Sequence, residues 1–298
     1  MSTLKMTASK HSVQKCIHDT PYRKNIKFQH MTRYEMTTTT RGRLLLAILF
    51  GLLFTTLLVL ASKLNAYFPW KYDRFVYAVV GTVLAFLLTY AFLKWEKQDF
   101  PWIGMALKPN TFTHFVMGVI IGLLSAMAVM SFVSGYVHVV LVRNPDFQPV
   151  SFFLGCIIIL LMALMEEVGF RGYPLYTLNR KSGVWTAQIV MAVLFAIYHV
   201  ANGWTLQNAL VGTGSWALIY GIVAIRTGGI AMSTGLHFAA NLVQSSVGRG
   251  SFPILAMRQK GGDIPAMLDE IKYAGTLSQL IILFIGIGLT VAYARKKG

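Results

Sequence analysis

Eight stretches of this 298-residue chain are apolar for long enough to cross a bilayer, and only short polar gaps separate them. They run at about 44–62, 75–93, 115–140, 151–177, 184–202, 206–225, 228–246 and 274–293. A hydrocarbon core needs about 20 such residues per helix, and it offers no water to an unpaired backbone amide, so continuous apolar runs of this kind are confined to helical spans. The expected fold is an all-α integral membrane protein, a polytopic bundle of about eight transmembrane helices. The composition agrees: 55% of residues are hydrophobic and only 13% are charged, about half the share of a soluble domain.

The formal net charge of +16 raises the question of a nucleic-acid partner, and its distribution answers it. Residues 1–43 hold nine Lys/Arg against Asp19 and Glu35, and most remaining basic residues flank the apolar runs. That is the pattern of the positive-inside bias and of attraction to anionic headgroups, so membrane lipid is the expected partner and nucleic acid is not. The bias favours both termini in the cytoplasm. Residues 1–43 read as a basic, disordered cytoplasmic tail, with Met31 or Met36 as alternative starts, and residues 44–298 as one membrane domain. Cys16 and Cys156 supply no disulfide framework, and the tail lacks a short apolar region ending in a small-residue cleavage site.

Between the second and third spans, Phe100 to Pro109 reads as an interfacial segment with Trp102 at headgroup level. In the last external loop, 247–273, Asp263-Ile264-Pro265 has the form of an N-cap followed by Pro at the start of a short helix; the loop is either a lid or a connector. Gly212, Gly214 and Gly221 are expected to serve close helix packing.

Three polar features interrupt the apolar runs. Glu166 and Glu167 follow some fifteen apolar residues, and a carboxylate at bilayer depth costs a few kcal/mol. Glu167 and Arg171 are i,i+4 neighbours that can neutralise one another, whereas Glu166 points about 100° away and lacks that partner. The alternative places both carboxylates at the cytoplasmic interface as a helix end. Next, Phe195 and His199 share one face of the fifth span, which suits an oriented imidazole or a structural histidine. Last, Ser233, His237 and Asn241 recur every four residues on the seventh span, a stripe that must face protein or a wet cavity. It serves either chemistry or helix association. Taken together, a glutamate, two histidines and an asparagine can activate water and stabilise an oxyanion.

In this order and spacing the motifs resemble the CPBP family (CAAX proteases and bacteriocin-processing enzymes, also called Abi), which includes the Ras-converting CAAX endopeptidase. The resemblance rests on Glu166-Glu167-Val168-Gly169-Phe170-Arg171, on Phe195 to His199 and on His237 to Asn241, within about residues 115–246. It implies an intramembrane glutamate-dependent endopeptidase acting on membrane-associated or lipidated peptides and proteins. Glu166 would be the general base, working with His199 on the attacking water. His237 and Asn241 would stabilise the oxyanion; Glu167, counted with them among the catalytic residues, would act with Arg171 in support of the site, as would Phe195 and Ser233. No obligatory cofactor is implied; a zinc ion held by Glu166, His199 and His237 is the alternative. A bacterial cytoplasmic membrane is the expected location. Two other functions stay open at this stage: a non-catalytic peptide-binding or immunity protein, and a transporter, although no internal repeat is visible.

On straight spans Glu166 and His199 would lie at different depths. Their meeting requires the fourth span to continue through Tyr173 to about Leu178, with Arg171 pointing into the cavity.

Overall fold

The computed structural model describes residues 39–67, 73–248, 253–259 and 268–297. The tail to Thr38 and the Asp263–Pro265 cap lie outside the described residues. The described part of the chain is built on α1 (Thr40–Lys63), α2 (Asp73–Trp95), α3 (Thr111–Tyr136), α4 (Pro149–Glu167), α5 (Tyr173–Ala201), α6 (Gly214–Thr227), α7 (Ala231–Ser246) and α8 (Leu268–Lys297). The fold is therefore that of a helical, polytopic integral membrane protein.

Six helical rods among the described residues are long and apolar enough to span a membrane, rather than eight. One reason is that two expected spans are joined. The helix of α4 passes through a π turn, Val168–Gly172, straight into α5, so Pro149–Ala201 is one element bent at Gly183. Gly183 takes φ of 81°, a left-handed conformation that costs an L side chain about 1 kcal/mol or more. The other reason is α7, which at 16 residues is too short to cross alone. Its partner compensates: Gly118 and Gly122 of α3 lie against the Met232 and Leu236 carbonyls, and Gly235 lies against that of Phe115. Any side chain at these three positions would push the two backbones apart, so α7 is held in the bundle by α3.

Both faces of the spans are apolar, so side-chain shape, rather than polarity, separates core from lipid face. On α1, Ala47, Phe50, Phe54 and Leu58 are fully buried while Leu45, Leu49 and Leu60 are exposed. The buried face enters an aromatic core in which Phe50 meets Phe92 and Tyr173, Phe54 meets Phe170, and Phe170 meets Phe195 and Tyr198. The edge-to-face pairs among these, Phe50–Phe92, Phe54–Phe170 and Phe170–Phe195, add about 1 kcal/mol each beyond the area they bury.

The all-α expectation misses one element. Val139–Arg143 (β1) pairs antiparallel with Leu255–Gln259 (β2), so the loop after α7 returns to the end of α3. Helix α3 ends at Tyr136, His138 turns the chain at φ 52°, and the β-branched Val139, Val140 and Val142 continue as a strand. The third apolar window, 115–140, takes in the first two strand residues, Val139 and Val140, because valine carries no polarity signal. The segment Phe100–Ile103 does form a short 3-10 turn, capped by Asp99 accepting from the Trp102 amide, with Arg180 stacked on the indole of Trp102. Of the three glycines in the sixth span, Gly221 alone lies in tight contact, against the Gln188 amide. Gly212 has open space around it and faces a cavity, and Gly214 meets only ordinary contacts.

Candidate active site

The continuous path from α4 to α5 resolves the problem of depth. The helix runs past Leu178 to the bend, so the two legs form an antiparallel hairpin with Gly183 at its tip. Glu166 and His199 stand almost equally far from Gly183 along the chain, each about 25 Å from it at ~1.5 Å per residue. The cross-leg contacts agree: Phe170 meets Phe195, and Tyr198 reaches back to Glu166. The π turn directly after Glu167 is the kind of local widening that often accompanies a functional site.

Glu166 is 6% exposed, and it lines a cavity of about 620 Å³ together with His199, His237 and Asn241. Three of the helices thus deliver the sequence-derived groups to one space. Tyr77, Met162, Trp204, Trp216 and Tyr220 complete much of its wall. Met257 of β2 and Ile271 of α8 also line it, so the chain after α7 contributes to the wall.

His237 is the hub. Its Nδ1 lies 3.0 Å from Glu167 Oε1 and its Nε2 lies 3.5 Å from Glu166 Oε2. An ionised carboxylate only accepts, so Nδ1–H donates to Glu167 and the opposite nitrogen is aimed at Glu166. The ring is stacked on Tyr220 at 4.5 Å and meets the edge of Phe195 at 6.1 Å, which fixes its plane.

Glu167 is fully buried and pairs with Arg171 at 3.1 Å. The expectation that Arg171 points into the cavity fails: it is fully buried, lies over Phe195 at 4.3 Å and Tyr220 at 5.2 Å, and does not line the space. The reason is that a planar guanidinium neutralised one turn away gains more from two aromatic faces than from an opening. Glu167 likewise stays behind the wall, where it holds His237 and Arg171. Ser233 is fully buried beside it, and its hydroxyl donates to the Ile230 carbonyl at 3.0 Å.

His199 is set by its own helix. Its Nδ1 lies 2.8 Å from the Phe195 carbonyl, which can only accept, so Nδ1 carries the proton and Nε2 of the neutral ring keeps its lone pair. Phe195, Tyr198 and Trp204 meet the ring at edge-on angles, with centroids at 4.6, 4.9 and 5.2 Å. Phe195 thus supports three groups at once: His199, His237 and Arg171.

Among the described residues, no group of three or more His, Cys, Asp or Glu side chains is arranged to hold a metal ion. Glu166, His199 and His237 face one cavity but do not form a ligand set, because His237 turns both nitrogens to carboxylates. A zinc site would require one of those two contacts to open.

Tyr77, Tyr198 and Tyr220 are the site residues that sequence reasoning passed over. Tyr198 had a signal, being adjacent to His199 and on the side of the helix that also carries Phe195. Tyr77 and Tyr220 had none, since tyrosine is common near span ends.

A search of curated proteins finds no match to the chain. Residues 147–243, which run from the start of α4 to the end of the polar stripe on α7 and so contain every motif residue of the site, match the model of the type II CAAX prenyl endopeptidase Rce1-like family, the group that the three motifs resemble.

Proposed function

We propose that the protein is an intramembrane endopeptidase of the CAAX type in which Glu166 is the general base. The observation that supports this reading most is the placement of Glu166, His199, His237 and Asn241, from three helices, on one cavity inside a bundle that otherwise faces lipid. The match over residues 147–243 supports the class of reaction, and it points to prenylated or otherwise lipidated membrane proteins as substrates.

In this mechanism a water molecule sits between Glu166 and the Nε2 lone pair of His199. Glu166 takes its proton as the oxygen attacks the scissile carbonyl carbon. The developing oxyanion is held by the Asn241 amide and by His237, which donates from Nε2 with its charge balanced by Glu167. The proton on Glu166 then passes to the amine nitrogen as the C–N bond breaks, giving a carboxylic acid, which ionises in water, and a free amine. Each such contribution is worth a factor of about 10² to 10⁴ in rate.

The reading is tested with purified wild type and Glu166→Ala on a quenched-fluorescence peptide library in detergent. Cleavage by wild type with loss in the variant is the expected result, and equal cleavage by both rejects Glu166 as the base. Lack of cleavage by either protein would favour a peptide-binding role for the same cavity.

A further inference from the structure

Glu166 has two oxygens in different situations. Oε2 is buried, faces His237 and has no hydrogen-bond partner among the described residues, whereas Oε1 accepts from the Tyr198 hydroxyl at 3.3 Å. The Tyr198 hydroxyl lies in turn 3.2 Å from that of Tyr77. Both tyrosines are buried, at 4% and 8% exposure, and both line the cavity.

The direction of this chain follows from its end. An ionised carboxylate supplies no proton, so Tyr198 spends its single O–H on Glu166, and the contact to Tyr77 is made only if Tyr77 donates to the Tyr198 oxygen. The series therefore runs one way, Tyr77 to Tyr198 to Glu166, from α2 through α5 to α4. Such directed chains strengthen each link by polarising the next. The 3.3 Å link is longer than the ~2.8 Å typical of a hydroxyl donor.

We infer that Tyr198, backed by Tyr77, is the positioning residue of the catalytic base: by holding Oε1 it fixes the orientation of the Glu166 carboxylate that accepts the proton of the attacking water. The inference rests on Glu166 being the base. Without the phenol, both oxygens of the carboxylate compete for His237, and the carboxylate can turn away from the water. Tyr198 touches neither water nor peptide in this role.

The test uses the full chain in detergent. Tyr198→Phe keeps the ring against Phe170 and Phe195 and removes only the hydroxyl, so the fold is retained. Infrared difference spectra of wild type against Glu166→Gln identify the carboxylate stretch of Glu166. In Tyr198→Phe that band shifts, and in Tyr77→Phe it shifts less in the same direction. On a peptide that wild type cleaves, kcat of Tyr198→Phe falls about tenfold, the effect of losing one hydrogen bond to a charged group, while KM is unchanged. An unmoved carboxylate band in both tyrosine variants overturns the inference, as does a fall confined to KM. If Glu166→Gln cleaves as well as wild type, it is the assignment of the base that fails, and the shifted band still reports the tyrosine chain by itself. Should Tyr198→Phe fail to fold, Tyr77→Phe carries both readouts.

Discussion

Among the described residues two clusters of buried charge differ in whether they reach the cavity. At one end of α1, Arg43 is paired with Glu96, and the Tyr173 hydroxyl donates to the same carboxylate at 2.8 Å. That cluster is closed: one cation and one anion, both at 2% exposure or less, neither on the cavity. In the other cluster two carboxylates share one arginine and one histidine, and one of the two, Glu166, also lines a 620 Å³ space. Burial of charge alone therefore does not mark an active site in a membrane protein. An excess carboxylate beside a cavity is the feature on which the proposed function rests, because it offers an acceptor for a proton and room for a water molecule.

The contrast can be attacked from both sides. His237→Ala should have the largest effect, since it removes the oxyanion donor and leaves both glutamates without their shared partner; hydrolysis should fall about 10³-fold while the protein still extracts and purifies as wild type does. Retention of activity in that variant would remove the hub from the site. Glu96→Ala should do the opposite. It leaves Arg43 buried without its anion, so the thermal midpoint in detergent should drop by the equivalent of about 3 kcal/mol, with the activity of the folded fraction intact. Joint replacement by Arg43→Met and Glu96→Leu should recover part of that stability, the remainder being the Tyr173 hydroxyl left without its acceptor. A loss of activity that persists in the joint variant would show that the two clusters are coupled.

Much of the site is legible in the sequence, because helical periodicity fixes which groups share a face. Glu167 and Arg171 do pair across one turn, Phe195 does orient His199, and His237 and Asn241 do meet one cavity. What periodicity does not carry is where a helix ends. The common depth of Glu166 and His199 depends on an unbroken helix as far as Gly183, and the route of Arg171 depends on two aromatic faces from other helices. The Arg43–Glu96 pair was invisible for a related reason: each residue sits at the end of its span, where a charge facing water is the ordinary expectation. The β1–β2 ribbon joins segments far apart in the chain whose side chains are as apolar as those of the spans.

Two smaller effects sharpen the comparison. Asn241→Ala removes one amide from the cavity and should lower kcat about 10²-fold with little change in thermal midpoint. An unchanged kcat would leave the oxyanion to His237 alone. Treatment with a strong chelator should change nothing, because the mechanism passes its proton through Glu166 and the imidazoles; loss of cleavage that zinc restores would favour the alternative in which His237 releases a carboxylate to bind metal.

The most direct measurement is hydrolysis in oxygen-18 water, with wild type and Glu166→Gln compared under single-turnover conditions and the fragments weighed by mass spectrometry. The account predicts one heavy oxygen in the new carboxylate from wild type, and no fragment above background from Glu166→Gln. Equal labelled product from both proteins would contradict it.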